Sequence, residues 1–321
     1  MRAIVLLALV SELASAQASP QFSSSVQLVM VDVQATEKGT GRVIDLLGPK
    51  DFEVYDNDVR REVKEFHFET TPLDVVFLIY GKSGVGPVKD INAFRDGLRA
   101  GAGTLQTGDR AAILRTETAS QADLTLTDNL EQVKHAIIWG GAQHHPTGHD
   151  HLYDAVRAAG SLFPRPHDPG RRRAIVAVTD DVEQGSKVSM NALITDLLES
   201  DVTLNEIVAV LGVTGRRVGF GGVWGIPKVE RDIGSVRTGK SLRDTVAATG
   251  GEAVPGDEFK ESFPELVRRV RTRYLLGFYA DPTATVDYHS IEVRLSAEAQ
   301  QRYPNALIRA RRGYYTSPGS R

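Results

Sequence analysis

The chain has 321 residues, of which 41% are hydrophobic and 25% charged, with a formal net charge of -3. This balance supports a packed globular core and excludes a largely disordered chain. A net charge so close to neutral gives no electrostatic reason to expect binding to nucleic acid. The sequence contains no cysteine, so disulfides, thiolate nucleophiles and cysteine-ligated zinc are excluded.

The N-terminus has the pattern of a secretory signal peptide. Arg2 is followed by the apolar run 3–10 and by an Ala-x-Ala ending at Ala14 and Ala16. This run is shorter than the roughly 20 apolar residues that a transmembrane helix needs. We therefore predict a signal peptide over residues 1–16 and a mature protein that is secreted, extracellular or periplasmic, with no membrane span.

Residues 26–68 have the composition and alternation of β-strands. A first strand is predicted over 26–33, followed by a turn at 38–41 and a short extended segment at 43–44. Two more strands are predicted over 52–55 and 63–68, joined through a turn at 56–58.

The middle of the chain alternates between strands and helices. The apolar run from Val75 to Ile79 is typical of a strand buried on both faces of a sheet. Further strands are predicted over 111–115, 174–179 and 202–211, and helices over 130–139, 151–163, 190–198, 242–249 and 259–271. Such alternation indicates βαβ units and a mostly parallel sheet covered by helices. The Gly-rich stretch 215–225 is predicted as a long loop, either functional or simply flexible.

The C-terminal part returns to β-strands, predicted over 274–279, 290–295 and 306–315. The simplest closure pairs these strands with the N-terminal ones. The predicted fold class is therefore α/β, a doubly wound and mostly parallel sheet inserted in a small β domain that the N- and C-terminal strands form. The predicted divisions are the signal peptide 1–16, an N-terminal β segment 17–71, an α/β domain 72–280 and a C-terminal β segment 281–321.

Ligands of open α/β sheets bind beyond the carboxyl ends of the strands, which directs attention to the residues after Ile79. Lys82 and Ser83 follow a glycine there, as in a phosphate-binding loop, but the first glycine of such a loop would fall at Val76, inside the strand. Ser83 leaves a serine hydrolase as an alternative function, with a loop histidine as its base. Against it, Val85 stands where a nucleophile elbow has a glycine.

Several short motifs resemble those of von Willebrand factor A (VWA) domains. The segment 72–79, PLDVVFLI, is similar to the opening of such a domain. The other similar segments are DFEVY at 51–55, LYDAV at 152–156, VTD at 178–180, YLLGFY at 274–279 and RGYY at 312–315. In this order they resemble the acidobacterial von Willebrand factor A-related family of secreted proteins over nearly the whole mature chain. The resemblance implies a VWA-like domain that binds partners through a divalent cation at a metal-ion-dependent adhesion site (MIDAS).

The MIDAS of the family begins with an Asp-x-Ser-x-Ser stretch after the first strand, and this chain departs from that pattern. Tyr80 stands at the Asp position, or Gly81 if one residue is inserted. With the insertion Ser83 takes the first Ser position. Without it Lys82 takes that position, and its ammonium group would repel a cation at short range.

The other family ligands are a Thr before the third helix and an Asp after the fourth strand. The match places Asp150 at the Thr position, with Thr147 three residues upstream, and Asp180 at the final Asp. The resemblance therefore implies a degenerate MIDAS with Ser83, Asp150 and Asp180 as the candidate metal ligands. Oxygen ligands of this kind suit Mg²⁺.

The loop 144–151 contains four of the eight histidines. Imidazole and carboxylate ligands together suit Zn²⁺ or another transition metal, in which case His149 would join Asp150 and Asp180. The alternative is a polar loop that only caps the next helix, with Asp150 as the N-cap residue.

The sequence as a whole favours a non-enzymatic protein that binds a protein or extracellular matrix partner. The partner-binding residues are predicted on the top face of the VWA-like domain: Lys82, Ser83, Thr147, Asp150 and Asp180. No cofactor is predicted other than a divalent cation, Mg²⁺ or Zn²⁺. A purely structural protein is the remaining alternative.

Structural positions are predicted for two groups of arginines. The run 171–173 is predicted as a charged lead-in to a buried strand, with an anionic partner as the alternative. Arg268, Arg269, Arg271 and Arg273 are predicted on the solvent face and at the end of the last helix.

Overall fold

The computed structural model of the chain describes residues 27–69, 71–80, 91–115, 122–139, 151–179, 181–183, 185–208, 241–281 and 287–316. The predicted signal peptide and the Gly-rich stretch lie outside these residues. The strands are β1 (Leu28–Glu37), β2 (Phe52–Asp56), β3 (Val59–Arg61), β4 (Glu65–Phe68), β5 (Leu73–Ile79), β6 (Arg110–Arg115), β7 (Leu124–Thr127), β8 (Arg172–Thr179), β9 (Val202–Val208), β10 (Ala253–Pro255), β11 (Tyr274–Tyr279), β12 (Tyr288–Leu295), β13 (Ala306–Ala310) and β14 (Gly313–Tyr315). The helices are α1 (Ile91–Ala102), α2 (Leu130–Trp139), α3 (Leu152–Gly160), α4 (Met190–Glu199), α5 (Arg243–Ala248), α6 (Phe259–Arg271) and α7 (Ala297–Arg302). None of these helices is long and apolar enough to cross a membrane.

The larger sheet of the described residues has the strand order β10-β9-β8-β5-β6-β7. Strands β5, β6, β8, β9 and β10 are parallel, whereas β7 pairs antiparallel with β6 at one edge. The chain builds outward from β5 to β6 and β7, then returns to add β8, β9 and β10 on the other side. This is the doubly wound order, whose direction reverses between β5 and β8. The predicted fold class is confirmed.

Helices cover both faces of this sheet. In β5, Val75 and Phe77 belong to a core shared with α1, α2 and α6, while Val76 and Leu78 belong to a core shared with α3, α4 and α5. Both sets are buried because each face of the strand is covered. This explains why β5 is a continuous apolar run and not an alternating one.

Helix α1 was not predicted from the sequence, and its glycines explain why. Gly97 and Gly101 lower helix propensity, so the segment has a weak helical pattern. In the structure a Cβ atom on Gly97 would lie 2.8 Å from Phe259, and one on Gly101 would lie 2.4 Å from Phe263. The two glycines thus allow α1 to approach α6 closely, and tertiary packing outweighs the local preference.

The N- and C-terminal strands form two four-stranded sheets, β13-β1-β11-β4 and β14-β12-β2-β3. All their pairings are antiparallel, with β1 between β11 and β13 and with β2 beside β12. Their inner faces share one apolar core, to which β1 contributes Val29, Val31 and Val33. As predicted, the C-terminal strands pair with the N-terminal ones, and the α/β domain is inserted between them. The chain leaves and re-enters this β domain through neighbouring strands, since Phe68 of β4 pairs with Tyr274 of β11.

The single strand predicted over 306–315 is two strands, one in each sheet of the β domain. The break falls at Arg311 and Arg312, where the chain contacts the α/β domain. Arg312 N donates to Ala248 O at 2.8 Å, and Arg311 forms an ion pair with Asp201. These contacts turn the chain from one sheet to the other.

The prediction of a solvent face is wrong for three of the four arginines at the end of α6. Arg269, Arg271 and Arg273 are only 7%, 6% and 2% exposed, whereas the Arg268 side chain is 46% exposed and pairs with Glu265. The prediction treated the helix alone. In the structure the β domain and the loop before β6 cover this side of α6.

Each of the three buried arginines at the end of α6 has a carboxylate partner. Arg269 Nε donates to Glu252 at 2.9 Å and Arg271 Nε to Asp109 at 3.0 Å. Arg273 Nε lies 3.1 Å from Asp32 of β1. Such pairing keeps the charges tolerable in the interior, and the pair of Arg273 with Asp32 joins the end of α6 to the β domain.

Arg172 and Arg173 are also buried, as part of strand β8 and not as a lead-in to it. Arg172 donates to the carbonyls of Val270 and Arg271 at 3.1 and 2.6 Å, at the end of α6. Arg173 donates to Ser200 O at 3.1 Å, just after α4. The two guanidinium groups thus occupy the carbonyl-rich, electronegative ends of two helices.

Candidate functional site

The carboxyl edge of the parallel sheet has the topology of a ligand site. The strand order reverses between β5 and β8, so the segments that follow these two strands leave the sheet in different directions. Ligands of doubly wound sheets bind in the crevice that this reversal creates. At this edge Tyr80 N donates to Val178 O at 2.8 Å, so the chain ends of β5 and β8 are direct neighbours.

The residues predicted for the site all lie outside the described residues: Lys82, Ser83, Thr147, His149, Asp150 and Asp180. The structure does describe the positions to which their segments connect. These are Tyr80 after β5, His151 before α3, and Thr179 and Asp181 around the end of β8. The segments that carry the predicted residues therefore begin or end at one edge of the sheet, and the roles of the individual residues stay predictions.

Tyr80, which the resemblance places at the first Asp position of the MIDAS pattern if no residue is inserted, is a core residue. It is 6% exposed and packs in the cluster that contains Leu78, Leu152 and Tyr153. It continues the alternation of β5, in which Val76 and Leu78 face the same core. A buried phenol at this position cannot supply the carboxylate that the family pattern requires.

A brace of hydrogen bonds holds the start of α3 against the loop after β8. Glu183 Oε2 accepts from Tyr153 N at 3.0 Å and from Ser186 Oγ at 2.8 Å, and Glu183 Oε1 accepts from Ser186 N at 2.9 Å. Ser186 Oγ also accepts from Tyr153 N at 3.1 Å and from Asp154 N at 3.2 Å. Backbone donors that the first turn of a helix leaves free are thus satisfied from another segment.

The same two segments are joined a second time. Asp154 accepts from the backbone N–H groups of Lys187 and Val188, each at 3.0 Å. The expectation that Asp150 is the N-cap of this helix is wrong. His151 occupies the N-cap position, and no capping hydrogen bond from its side chain is found among the described residues. Glu183 and Ser186 serve in place of a local cap.

Behind the brace, two buried carboxylates hold the end of β8. Thr179 Oγ1 donates to Glu206 Oε1 of β9 at 2.5 Å and accepts from Asp181 N at 2.8 Å. Asp181 Oδ1 accepts from Leu242 N at 2.8 Å, just before α5. Asp181 has a φ of +55°, so the chain turns sharply as it leaves the strand.

Tyr153 completes this arrangement. Its hydroxyl donates to Ser241 O at 3.1 Å, at the start of the α5 segment. Burial raises the pKa of Tyr153, and the nearby carboxylates of Glu183, Asp181 and Asp244 raise it as well. The phenol therefore stays protonated and acts as a hydrogen-bond donor.

These contacts show what the described part of the edge can do chemically. Asp154, Asp181 and Glu183 accept hydrogen bonds from backbone N–H groups, so they fix the loops. No group of three or more His, Asp or Glu side chains among the described residues could hold a metal ion.

Sequence reasoning did not find the brace. Asp154 and Tyr153 belong to the LYDAV segment, which was noted only as a family motif. Glu183 and Ser186 carry no local signal, because their partners in α3 lie about 30 positions earlier in the chain. The acidic residues directly after β8 were the one available hint.

Comparison with known proteins gives likenesses of fold only. No protein-family model matches the chain, and no curated protein matches it. Among solved structures the chain is similar to the conserved hypothetical protein BatB from Bacteroides thetaiotaomicron, at 13% identity and a TM-score of 0.41 over 62% of this chain and 100% of that one. It is similar to proximal thread matrix protein 1 from the mussel byssus, solved with a zinc-occupied MIDAS motif, at 11% identity and a TM-score of 0.46 over 67% of this chain and 49% of that one. It is also similar to the SpRpn10 VWA domain, at 12% identity and a TM-score of 0.38 over 58% of this chain and 88% of that one. These values are too low to transfer a function, and the strand order defines the fold without them.

Proposed function

We propose that the chain is a non-enzymatic binding protein that recognises a protein or matrix partner through the carboxyl edge of its parallel sheet. The supporting observation is the brace at the topological switch point. It holds the segments before α3 and after β8 together, and a separate hydrogen bond from Tyr80 N to Val178 O fixes the end of β5 beside β8. Binding surfaces of this kind consist of loops positioned by a rigid scaffold.

The residues proposed to contact the partner are Lys82, Ser83, Thr147, Asp150 and Asp180. The last three lie within six positions of a brace residue in sequence, and the first two lie within three positions of Tyr80. The partner's own groups would meet a mixed surface of one ammonium, two hydroxyls and two carboxylates. Secretion by means of the signal peptide 1–16 is part of the same proposal, as is membership of the acidobacterial VWA-related family.

Binding is preferred to catalysis because the described carboxylates at this edge are already engaged. Asp154 and Glu183 each accept from backbone N–H groups, and the hydroxyl of Ser186 is held between Glu183 and α3. A general acid or base must instead reach the substrate. Turnover of simple ester or peptide substrates that is lost in Ser83→Ala would contradict this part of the proposal.

A divalent cation at the degenerate MIDAS is the finer part of the proposal. Its ligands would be Ser83, Asp150 and Asp180, with His149 added if the ion is Zn²⁺. If Lys82 occupies the place of the ion, its ammonium group would meet an acidic group of the partner directly. Metal-dependent and metal-independent adhesion are thus distinguished by one measurement.

The measurement is thermal stability of the protein with Mg²⁺, Mn²⁺, Zn²⁺ or EDTA. A ligand at a hundred times its dissociation constant stabilises the folded state by about 2.7 kcal/mol. Stabilisation in the wild type and in Asp45→Ala, an exposed control, but not in Asp180→Ala would support the metal site. Equal stabilisation of all three proteins would contradict it.

The partner itself is tested by photo-crosslinking from defined positions. A photoreactive residue at position 82 or 147 should capture the same partner, whereas one at Leu46, which is 77% exposed on the β domain, should not. With that partner purified, Lys82→Ala or Asp180→Ala should weaken binding about tenfold or more. Equal capture from Leu46, or unchanged affinity in both variants, would refute the proposed surface.

A further inference from the structure

An open groove of about 500 Å³ lies beside β10, at the edge of the parallel sheet. Among the described residues β10 is the last strand of this sheet and pairs with β9 on one side only. The other walls of the groove are α6, the loop 38–41 after β1, and β13 of the β domain. The groove is thus at the side of the sheet and not at the carboxyl edge described above.

The hydrogen bonds between β9 and β10 determine which backbone groups of β10 are left over. Glu206 N of β9 donates to Glu252 O, just before β10, at 2.8 Å. In a parallel ladder the backbone groups of alternate residues face the same neighbour, so those of Val254 also face β9. The backbone groups of Ala253 and Pro255 therefore face the groove. They amount to one N–H and two C=O groups, because proline has no N–H.

These three groups form an unpaired strand edge. They make no hydrogen bond to another segment within the described part of the chain. Both residues that carry them are exposed, and the side chains of Ala253 and Pro255 are too small to cover the edge. Unpaired N–H and C=O groups on an edge strand are a template for an additional strand. Since Pro255 leaves three bonds in place of four, a strand added here binds weakly and reversibly.

The carboxylates in the walls leave the groove open to such a strand. Three of the four, those of Glu37, Glu252 and Glu265, are already paired with arginines. The fourth, Glu261, is exposed in the first turn of α6. The walls therefore carry few charges that an added strand would have to neutralise.

Arg309 of β13 supplies side-chain donors that an added strand can reach. Its Nη1 donates to two neutral acceptors, Gln34 Oε1 at 3.2 Å and Thr36 Oγ1 at 3.3 Å. Its Nε and Nη2 make no hydrogen bond to the described residues and remain accessible in the groove. A guanidinium group with free N–H donors binds an acceptor side chain and repels a cation at short range.

We propose that this groove binds an extended segment of another protein, which adds to the sheet as a further strand beside β10 and places a Gln or Glu side chain against Arg309. A cavity of about 150 Å³ accommodates benzene, so about 500 Å³ has room for about four small residues. Four residues in extended conformation are enough to reach the three backbone groups of the edge. Binding here is independent of the proposed binding at the carboxyl edge of the sheet.

The test is titration of the full chain, labelled with nitrogen-15 in its alanines, with the peptide acetyl-Thr-Val-Gln-Val-Thr-amide. In nuclear magnetic resonance spectra the amide signal of Ala253 should shift and saturate, with a dissociation constant of about 1 mM. The signal of Ala297, exposed on α7, should not move. The same peptide with Lys in place of Gln should bind at least threefold more weakly. An Ala253 signal that neither peptide moves, or an Ala253 amide already protected from hydrogen exchange in the free protein, would overturn the proposal.

Two proline variants separate the free side of β10 from its paired side. Ala253→Pro removes the N–H that faces the groove and no hydrogen bond of the β9 ladder. It should therefore change the Tm by less than about 3 °C and weaken the peptide at least fivefold. Val254→Pro removes an N–H that faces β9 and should lower the Tm by about 10 °C. Unchanged affinity in Ala253→Pro would refute the assignment, and so would dimerisation of the free protein that Ala253→Pro abolishes, since a second copy would then be the occupant.

A side-chain variant decides the matter if Ala253→Pro fails to fold. Arg309→Gln should abolish the preference for the Gln peptide over the Lys peptide. The control Arg312→Gln changes an exposed arginine outside the groove and should leave the preference intact. An undiminished preference in Arg309→Gln would refute the role of Arg309.

Discussion

Glu183→Ala is the most direct test of the brace at the carboxyl edge. Glu183 is 7% exposed and accepts three hydrogen bonds, of 2.8, 2.9 and 3.0 Å, from Ser186 and from Tyr153 N. Hydrogen bonds to a charged group contribute about 1.5–3 kcal/mol each. Tyr153 N keeps Ser186 Oγ as a second acceptor at 3.1 Å, so the sum overestimates the loss. We expect a decrease of about 3 kcal/mol in the free energy of unfolding.

The assay is urea denaturation followed by circular dichroism, with a constant m-value as the check that only stability has changed. Glu183→Gln retains an acceptor oxygen and should cost about half as much as the alanine variant. Glu131→Ala, whose side chain is 83% exposed, is the control and should change stability by less than about 0.5 kcal/mol. A loss below about 1 kcal/mol in Glu183→Ala, or an equal loss in Glu183→Gln, would show that the brace is not held by this carboxylate.

Three further changes probe other parts of the fold. Burial raises the pKa of Asp74, and hydrogen bonds from Arg110 and Arg171 lower it by more, so the net pKa lies below its ordinary value. The stability that this carboxylate contributes is present at neutral pH and is lost as the pH falls below about 4. Asp74→Asn should therefore lower the free energy of unfolding by about 3 kcal/mol at pH 7 and by less in acid. Urea denaturation at pH values from 7 down to below about 4 measures this difference. Gly250 has a φ of +78°, and a Cβ atom there would lie 2.4 Å from the backbone of β13. Gly250→Ala should therefore lower stability by about 3 kcal/mol or prevent folding. The control is Gly39→Ala, at a φ of +91° with no atom within 4 Å, which should lower stability by only about 1 kcal/mol in thermal melts. Burial raises the pKa of Tyr274 to about 12, so the wild type should lose stability as the pH rises from about 10 towards 12. Tyr274→Phe, less stable by about 1 kcal/mol at pH 7, should lose less over this range, because burial of Tyr153 and Tyr314 raises their pKa values as well; parallel pH profiles for the two proteins would refute this.

The parts of the fold that were predictable have a strong local pattern. The apolar run of β5, the helix Phe259–Arg271 and the strand Tyr274–Tyr279 were all predicted at the bounds found, or within two residues of them. In each, burial on one or both faces repeats with the period of the element. The pairing of the two chain ends could be predicted because both contain β segments, and neither set of strands has enough partners to form a buried sheet alone.

What the sequence could not show depends on contacts between distant segments. Helix α1 contains glycines that are explained only by α6, and strand β7 and helix α7 are too short for a periodic signal. The arginines at the end of α6 lie in an amphipathic pattern that predicts exposure to solvent, although three of them are buried. Their carboxylate partners come from loops and strands more than fifteen positions away.

The candidate site, too, was predictable only in part. Its location followed from topology, because the carboxyl edge at a strand-order reversal is determined once the sheet is doubly wound. The brace could not be predicted from topology, since Glu183 contacts Tyr153 only once β8 lies beside β5. Tyr80, which the sequence resemblance places at the first Asp position if no residue is inserted, is buried in the core.

The insertion of one domain within the other imposes an order on folding during synthesis. Strand β1 ends at Glu37, but its partners β11 and β13 begin at Tyr274 and Ala306, after the whole α/β domain has been made. The α/β domain contains all the strands of its own sheet and can close first, while β1 and β2 wait with unpaired edges. Such long-range pairing is slow and leaves exposed strands open to aggregation. Strands β1 and β2 therefore stay without these partners until β11, β12 and β13 have been synthesised.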